Sequence, residues 1–209
     1  KYERTTNRHD FSLEPRRPNY LSAIRTAGHT TYGVGKIGDI FAGCDIDESF
    51  PTKSNVDGIN RTIDLLENID EGFVLVNLVE TDQLWGHRND PVNFHRCLQD
   101  FDRRLPDILE ALRDGDLLII TSDHGCDPTT PSSDHSREHA MLLAYAAGRN
   151  AAGRIHEDGE FGDVGVAERI AVALLGRGVH RLHQLARRHL LCRRGELHLD
   201  QLGAEVAAD

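Results

Sequence analysis

Asp116-Leu117-Leu118-Ile119-Ile120-Thr121-Ser122-Asp123-His124-Gly125 decides the fold, because an apolar run rich in branched residues breaks directly into an Asp-His pair. Such a run suits a strand buried on both faces of a parallel sheet. The pair then falls at the carboxyl end of the strand, the edge of an open α/β sheet where loops converge on ligands. Aspartate oxygen and histidine nitrogen are donors that a divalent transition metal accepts. Alone, the pair reads equally well as a turn cap beside a loop histidine. A second constellation shifts the balance. Residues 73–79, Phe-Val-Leu-Val-Asn-Leu-Val, form another buried-strand run, which ends in Glu80-Thr81-Asp82-Gln83-Leu84-Trp85-Gly86-His87-Arg88. Parallel neighbours joined through a helix would bring Asp82, His87, Asp123 and His124 to one edge, with His135 returning from the loop that follows.

Helical periods flank these runs. Ile59, Ile63, Leu66 and Ile69 recur every three or four residues over 57–69, with Asn55 or Asp57 able to cap the start. Pro91 opens a longer helix with Phe94, Leu98, Phe101, Leu105, Ile108, Leu109 and Leu112 on one face, and His95 reads as surface on its flank. A third apolar run spans 141–147, and 159–176 carries a further helical period in Val164, Ala167, Ile170, Ala171, Leu174 and Leu175. Upstream, 20–27 reads as a short helix and 30–34 as a strand, followed by the glycine-rich turn Gly33-Val34-Gly35-Lys36-Ile37-Gly38. That turn lacks P-loop spacing, so Lys36 reads either as a phosphate ligand or as a solvated lysine. The element order predicts an α/β fold, a layered, mostly parallel sheet flanked by helices. Residues 1–19 read as a linker, 20–176 as the metal-binding core, and 177–209 as a helical or disordered tail rich in Arg, His and Leu. The guanidinium charges of that tail oppose cation binding by its histidines.

A formal charge of −10 argues against non-specific nucleic-acid binding, which requires a basic surface to displace counterions. Cys44, Cys97, Cys126 and Cys192 lie far apart without a CxxC pair, and no signal peptide or long apolar span is present. These features predict a reducing, cytoplasmic setting away from membranes. Cys126 reads as a packed thiol rather than a soft metal ligand. The chain begins at Lys1 and its one methionine is Met141, which predicts the carboxyl-terminal piece of something longer.

The stretch from Asn77 through Glu80-Thr81-Asp82 to Gly86-His87-Arg88-Asn89-Asp90 resembles phosphopentomutase, a branch of the alkaline phosphatase superfamily. So do Asp123-His124-Gly125-Cys126-Asp127-Pro128-Thr129-Thr130, Ser133-Asp134-His135-Ser136-Arg137-Glu138-His139, Asn7-Arg8-His9-Asp10 and Pro51-Thr52-Lys53-Ser54-Asn55. The resemblance covers about residues 1 to 175 and is loose over 154–162. It implies an alkaline-phosphatase-like core, present in part, with residues 1–19 ending an inserted cap domain. The implied reaction interconverts (deoxy)ribose 1-phosphate and (deoxy)ribose 5-phosphate, in nucleoside catabolism, with two Mn2+ ions, a sugar bisphosphate activator and a phosphorylated threonine. By the same resemblance Asp82, His87 and His135 hold one metal, Asp123 and His124 supply part of the second, and Lys36 and Arg4 meet substrate phosphate. The threonine and a further aspartate are expected upstream of Lys1, so no catalytic nucleophile is assigned in this chain. Manganese rests on the family alone, since the same donors intrinsically favour zinc. The competing readings are a related metal-dependent phosphatase, a phosphoglycerate mutase with a serine nucleophile, and a non-catalytic metal-binding fragment. Oligomeric state has no signature in the sequence.

Overall fold

Strand β1 (Thr31–Val34) sits at the centre of a parallel three-stranded sheet in this computed structural model, which describes residues 11–148. Its neighbours are β2 (Glu48–Phe50) and β3 (Phe73–Val76), in the order β2-β1-β3, with Val34 opposite both Phe50 and Val76. Central position accounts for its burial: Thr31 and Val34 are the most enclosed side chains among the described residues. The Thr31 hydroxyl is not left unpaired there, because it donates to the Asp45 carbonyl and the Asp47 carboxylate.

Among the described residues three helices pack on this sheet and a fourth packs on the third. Helix α1 (Tyr20–Thr26) starts where the Asn19 side chain accepts the Ser22 N–H at 3.1 Å, and it buries Leu21 and Ile24. The glycine-rich turn closes into a single helical turn, α2 (Ile37–Ile40), after Gly35 takes a φ of +80°. Helix α3 (Asn55–Asn68) buries Ile59, Thr62 and Leu65. Its cap is Ser54, whose hydroxyl accepts the Asp57 N–H, rather than the expected Asn55 or Asp57. Helix α4 (Pro91–Ala111) begins at Pro91, with the Asp90 carboxylate accepting the Asn93 N–H at 3.0 Å. The seven-residue apolar face expected on α4 is only partly covered: Ile108 is buried, whereas Leu98 is 44% exposed.

The two strands that follow correct the expected topology. Strand β4 (Leu117–Thr121) pairs antiparallel with β5 (Leu142–Ala146), Leu117 opposite Ala146 and Thr121 opposite Leu142. No hydrogen-bonded register joins β3 to β4 among the described residues. The antiparallel β4–β5 pair follows from its connection: a parallel pair needs a crossover, usually helical, whereas residues 122–141 between them contain no helix and return the chain directly. Nor is β5 a buried strand: Leu142 and Leu143, on opposite faces, are 42% and 56% exposed. The helix expected over 159–176 and the tail 177–209 lie outside the described residues, as does Arg4.

Candidate metal centre

Beyond β3 the chain makes a π-helical turn, Thr81–Trp85, and then a 3-10 turn, Gly86–Arg88. The first presents Asp82 and the second His87, in a region the sequence describes only as loop. From the other side, residues after β4 bring Asp123 and His124, and the returning loop brings His135. Asp82 is the hub of the arrangement. His87 Nε2 lies 3.4 Å from Asp82 Oδ2, and His135 Nε2 lies 3.5 Å from Asp82 Oδ1. His124 stacks on His135 with ring centroids 3.5 Å apart, and donor atoms of Asp82, His124 and His135 all fall within 4.8 Å of one another. His87 meets His135 at a centroid distance of 4.9 Å. Asp123 stands at the rim, 76% exposed, with Oδ1 3.5 Å from His124 Nε2.

Backbone carbonyls set two of these rings. His87 Nδ1 is 2.5 Å from the Ser133 carbonyl, and His124 Nδ1 is 3.0 Å from the Gly125 carbonyl. A carbonyl only accepts, so Nδ1 carries a proton in both, and Nε2 is the ring atom turned toward a carboxylate. A lone pair facing a carboxylate oxygen is favourable only with a cation or proton between them. Asp82 Oδ1 is buried and has no hydrogen-bond partner among the described residues, which makes it the orphan that such a cation would satisfy. Two donors each about 2.1 Å from a tetrahedral ion stand about 3.4 Å apart, close to the His-Asp separations here. The donor set therefore fits a divalent metal.

Contacts between loops, rather than adjacent strands, bring the two halves together. Asn89, in the left-handed region at φ 54°, donates from its side chain to the Thr130 and Ser132 carbonyls at 2.7 and 2.8 Å. A Cβ on Gly86 would stand 2.5 Å from Cys126 Sγ, so glycine there lets the second loop close onto the first. Ser136 bridges back to Gly125, and its hydroxyl accepts the Asp127 N–H at 2.6 Å. Hydrogen bonds from the Thr129 hydroxyl and N–H hold the Asp127 carboxyl below its ordinary range. Burial pushes the Cys126 thiol up, with the Asp82, Asp127 and Glu138 charges adding to the effect. Sequence reasoning missed Gly86, Asn89 and the Ser133 carbonyl. Only Asn89 carried a signal, as a residue tolerant of the left-handed conformation just before a capped helix start.

Lys36 leaves the carboxyl end of β1, the same sheet edge from which β3 sends out Asp82. The Gly35 backbone packs against the Asn77 carbonyl at that edge, leaving no space for a Cβ.

Comparison with known proteins follows the same lines. A family profile described as the metalloenzyme superfamily matches residues 6–174. The chain is 51% identical over 174 residues to a protein named phosphopentomutase from Anaeromyxobacter sp. (strain K), an alignment covering 82% of this chain and 45% of the relative. It is 50% identical over 158 residues to a phosphopentomutase of Thermotoga petrophila, covering 75% and 39%. The corresponding protein of Caldanaerobacter subterraneus is 49% identical over 145 residues, covering 69% and 37%. The chain thus spans about half the length of the curated relatives it matches. With the matched profile running through every described ligand candidate, the chain belongs to the metalloenzyme superfamily.

Proposed function

We propose that the protein acts as a phosphopentomutase, interconverting (deoxy)ribose 1-phosphate and (deoxy)ribose 5-phosphate in the cytoplasm, with a sugar bisphosphate as activator. In this reading residues 20–176 supply the metal-binding core, 1–19 the end of a cap domain, and 177–209 a tail. The observation that carries the reading is the grouping of Asp82, His124 and His135 within 4.8 Å, inside a stretch half identical to proteins of that name. No helix among the described residues is long and apolar enough to cross a membrane.

Asp82, His87 and His135 would hold one divalent ion, Mn2+ by family resemblance, and Asp123 with His124 part of a second. Bound there, the ions supply Lewis-acid stabilisation of a phosphoryl group in transfer. His87 and His124 keep their Nδ1 protons on backbone carbonyls and so each offers a single lone pair from Nε2. Asp82 offers both oxygens and reduces the charge of the pair. Lys36 would orient the distal phosphate, since phosphoryl transfer depends mostly on positioning and on charge stabilisation. Arg4 is assigned a similar contact. The nucleophile is not assigned to any residue of this chain.

The test is an assay of the full gene product with ribose 5-phosphate, Mn2+ and a sugar bisphosphate. Ribose 1-phosphate should form, and His124→Ala should abolish it. Release of inorganic phosphate alone would make the protein a phosphatase, turnover of 3-phosphoglycerate would make it a phosphoglycerate mutase, and inertness toward all three would leave a non-catalytic metal binder.

A further inference from the structure

We propose that Asn55 and Glu80 form a positioning clamp that fixes the π turn carrying Asp82, so that metal affinity depends on two side chains outside the metal centre. The inference rests on the metal-centre reading above. Asn55 opens α3 and is 8% exposed. Its side-chain oxygen accepts the Glu80 N–H at 3.1 Å, and the Glu80 carboxylate accepts the Asn55 N–H at 2.6 Å. This reciprocal pair ties the start of one helix to the residue directly preceding the π turn. No side chain of its own caps that turn. A third element joins at the same point: Cys97 of α4 lies 3.4 Å from the Asn55 amide nitrogen and 3.3 Å from the Thr81 hydroxyl. Glu80 and Thr81, the two residues before Asp82, are therefore both anchored, one by α3 and the other by α4.

Two physical effects follow. A π turn is a poor hydrogen-bonding geometry that persists where its surroundings hold it, so releasing Glu80 would let Asp82 drift from the histidines. The clamp also commits the Glu80 carboxylate to a backbone N–H. Two residues from Asp82 in sequence, that carboxylate is thereby kept from serving as a rival donor. Asn55 and Glu80 are positioning residues, acting through the backbone on Asp82.

The test measures Co2+ affinity and the visible d–d spectrum of the intact protein for Asn55→Ala, Glu80→Ala and Glu80→Gln. Loss of the clamp should weaken Co2+ binding about 10- to 100-fold, as removal of supporting hydrogen bonds does at other metal sites, and should shift the d–d bands. Glu80→Gln keeps an acceptor for the Asn55 N–H and should restore both readouts to within about threefold of wild type. A purely structural role would lower the melting temperature of the metal-free protein while leaving affinity and spectrum unchanged in the folded state. Wild-type binding by Glu80→Ala, or equal loss in Glu80→Ala and Glu80→Gln, overturns the clamp. If Asn55→Ala fails to fold, the less buried Glu80 pair still decides the question. Should the wild-type protein bind no Co2+, the metal reading fails and takes the clamp with it. Normal wild-type binding with indifferent variants fails the clamp alone.

Discussion

His87 Nδ1 lies 2.5 Å from the Ser133 carbonyl, so a ring supplied by the turn after β3 is oriented by the backbone of the loop after β4. The two loops are thereby coupled at a candidate ligand. Metal binding should tighten both, and displacement of either should be felt by the other.

Replacing His87 with alanine should weaken metal binding at least about tenfold while leaving the fold in place. The side chain is 38% exposed, so its removal costs little packing. Calorimetric titration with Mn2+ and thermal melting of the metal-free protein check this together. Wild-type affinity in the variant would remove His87 from the ligand set.

Gly86 has an ordinary helical backbone, with φ near −60°, so alanine there is not strained by conformation. The cost arises from the clash of the new Cβ with Cys126 Sγ, 2.5 Å away. Gly86→Ala should destabilise by about 1–3 kcal/mol through overpacking. Adding Cys126→Ala removes the sulfur and should recover most of the loss in denaturant melts. An additive pair, with no recovery, would show that the loops do not close through this contact.

Asp47 links stability to acid. Its carboxylate accepts the N–H and hydroxyl of buried Thr31, both at 2.9 Å, and pairs with Arg25. The Thr31 N–H, first among these, holds the carboxyl below its ordinary value of 3.8. A folded value below the unfolded one gives stability that is fully present above pH 3.8 and is lost as pH falls through the lowered value. The side chain is 30% exposed, so screening holds the effect to about 1 kcal/mol. Asp47→Asn should therefore be less stable than wild type at neutral pH, with the difference shrinking below pH 3.8. A pH-independent difference in melting temperature would show that the charge is not what Thr31 recognises.

Local physics made much of this protein legible in its sequence. Apolar runs marked β3, β4 and β5, a short strand was expected where β1 lies, three- and four-residue periods marked α3 and α4, and the Asp and His residues at the strand ends marked a candidate metal site. Strand β2 escaped because Glu48, Ser49 and Phe50 carry no apolar alternation, and only pairing to β1 makes them a strand. Tertiary structure alone decided that β4 runs antiparallel to β5 and that His124, 3.5 Å from Asp123, also stacks on His135 beside Asp82. The reason is physical. Side-chain period and ligand type are properties of residues, but the bonds that close this site run to the carbonyls of Ser133, Gly125, Thr130 and Ser132. Every residue possesses a carbonyl, so its use as an acceptor leaves no mark in the sequence and is settled only when the chain folds.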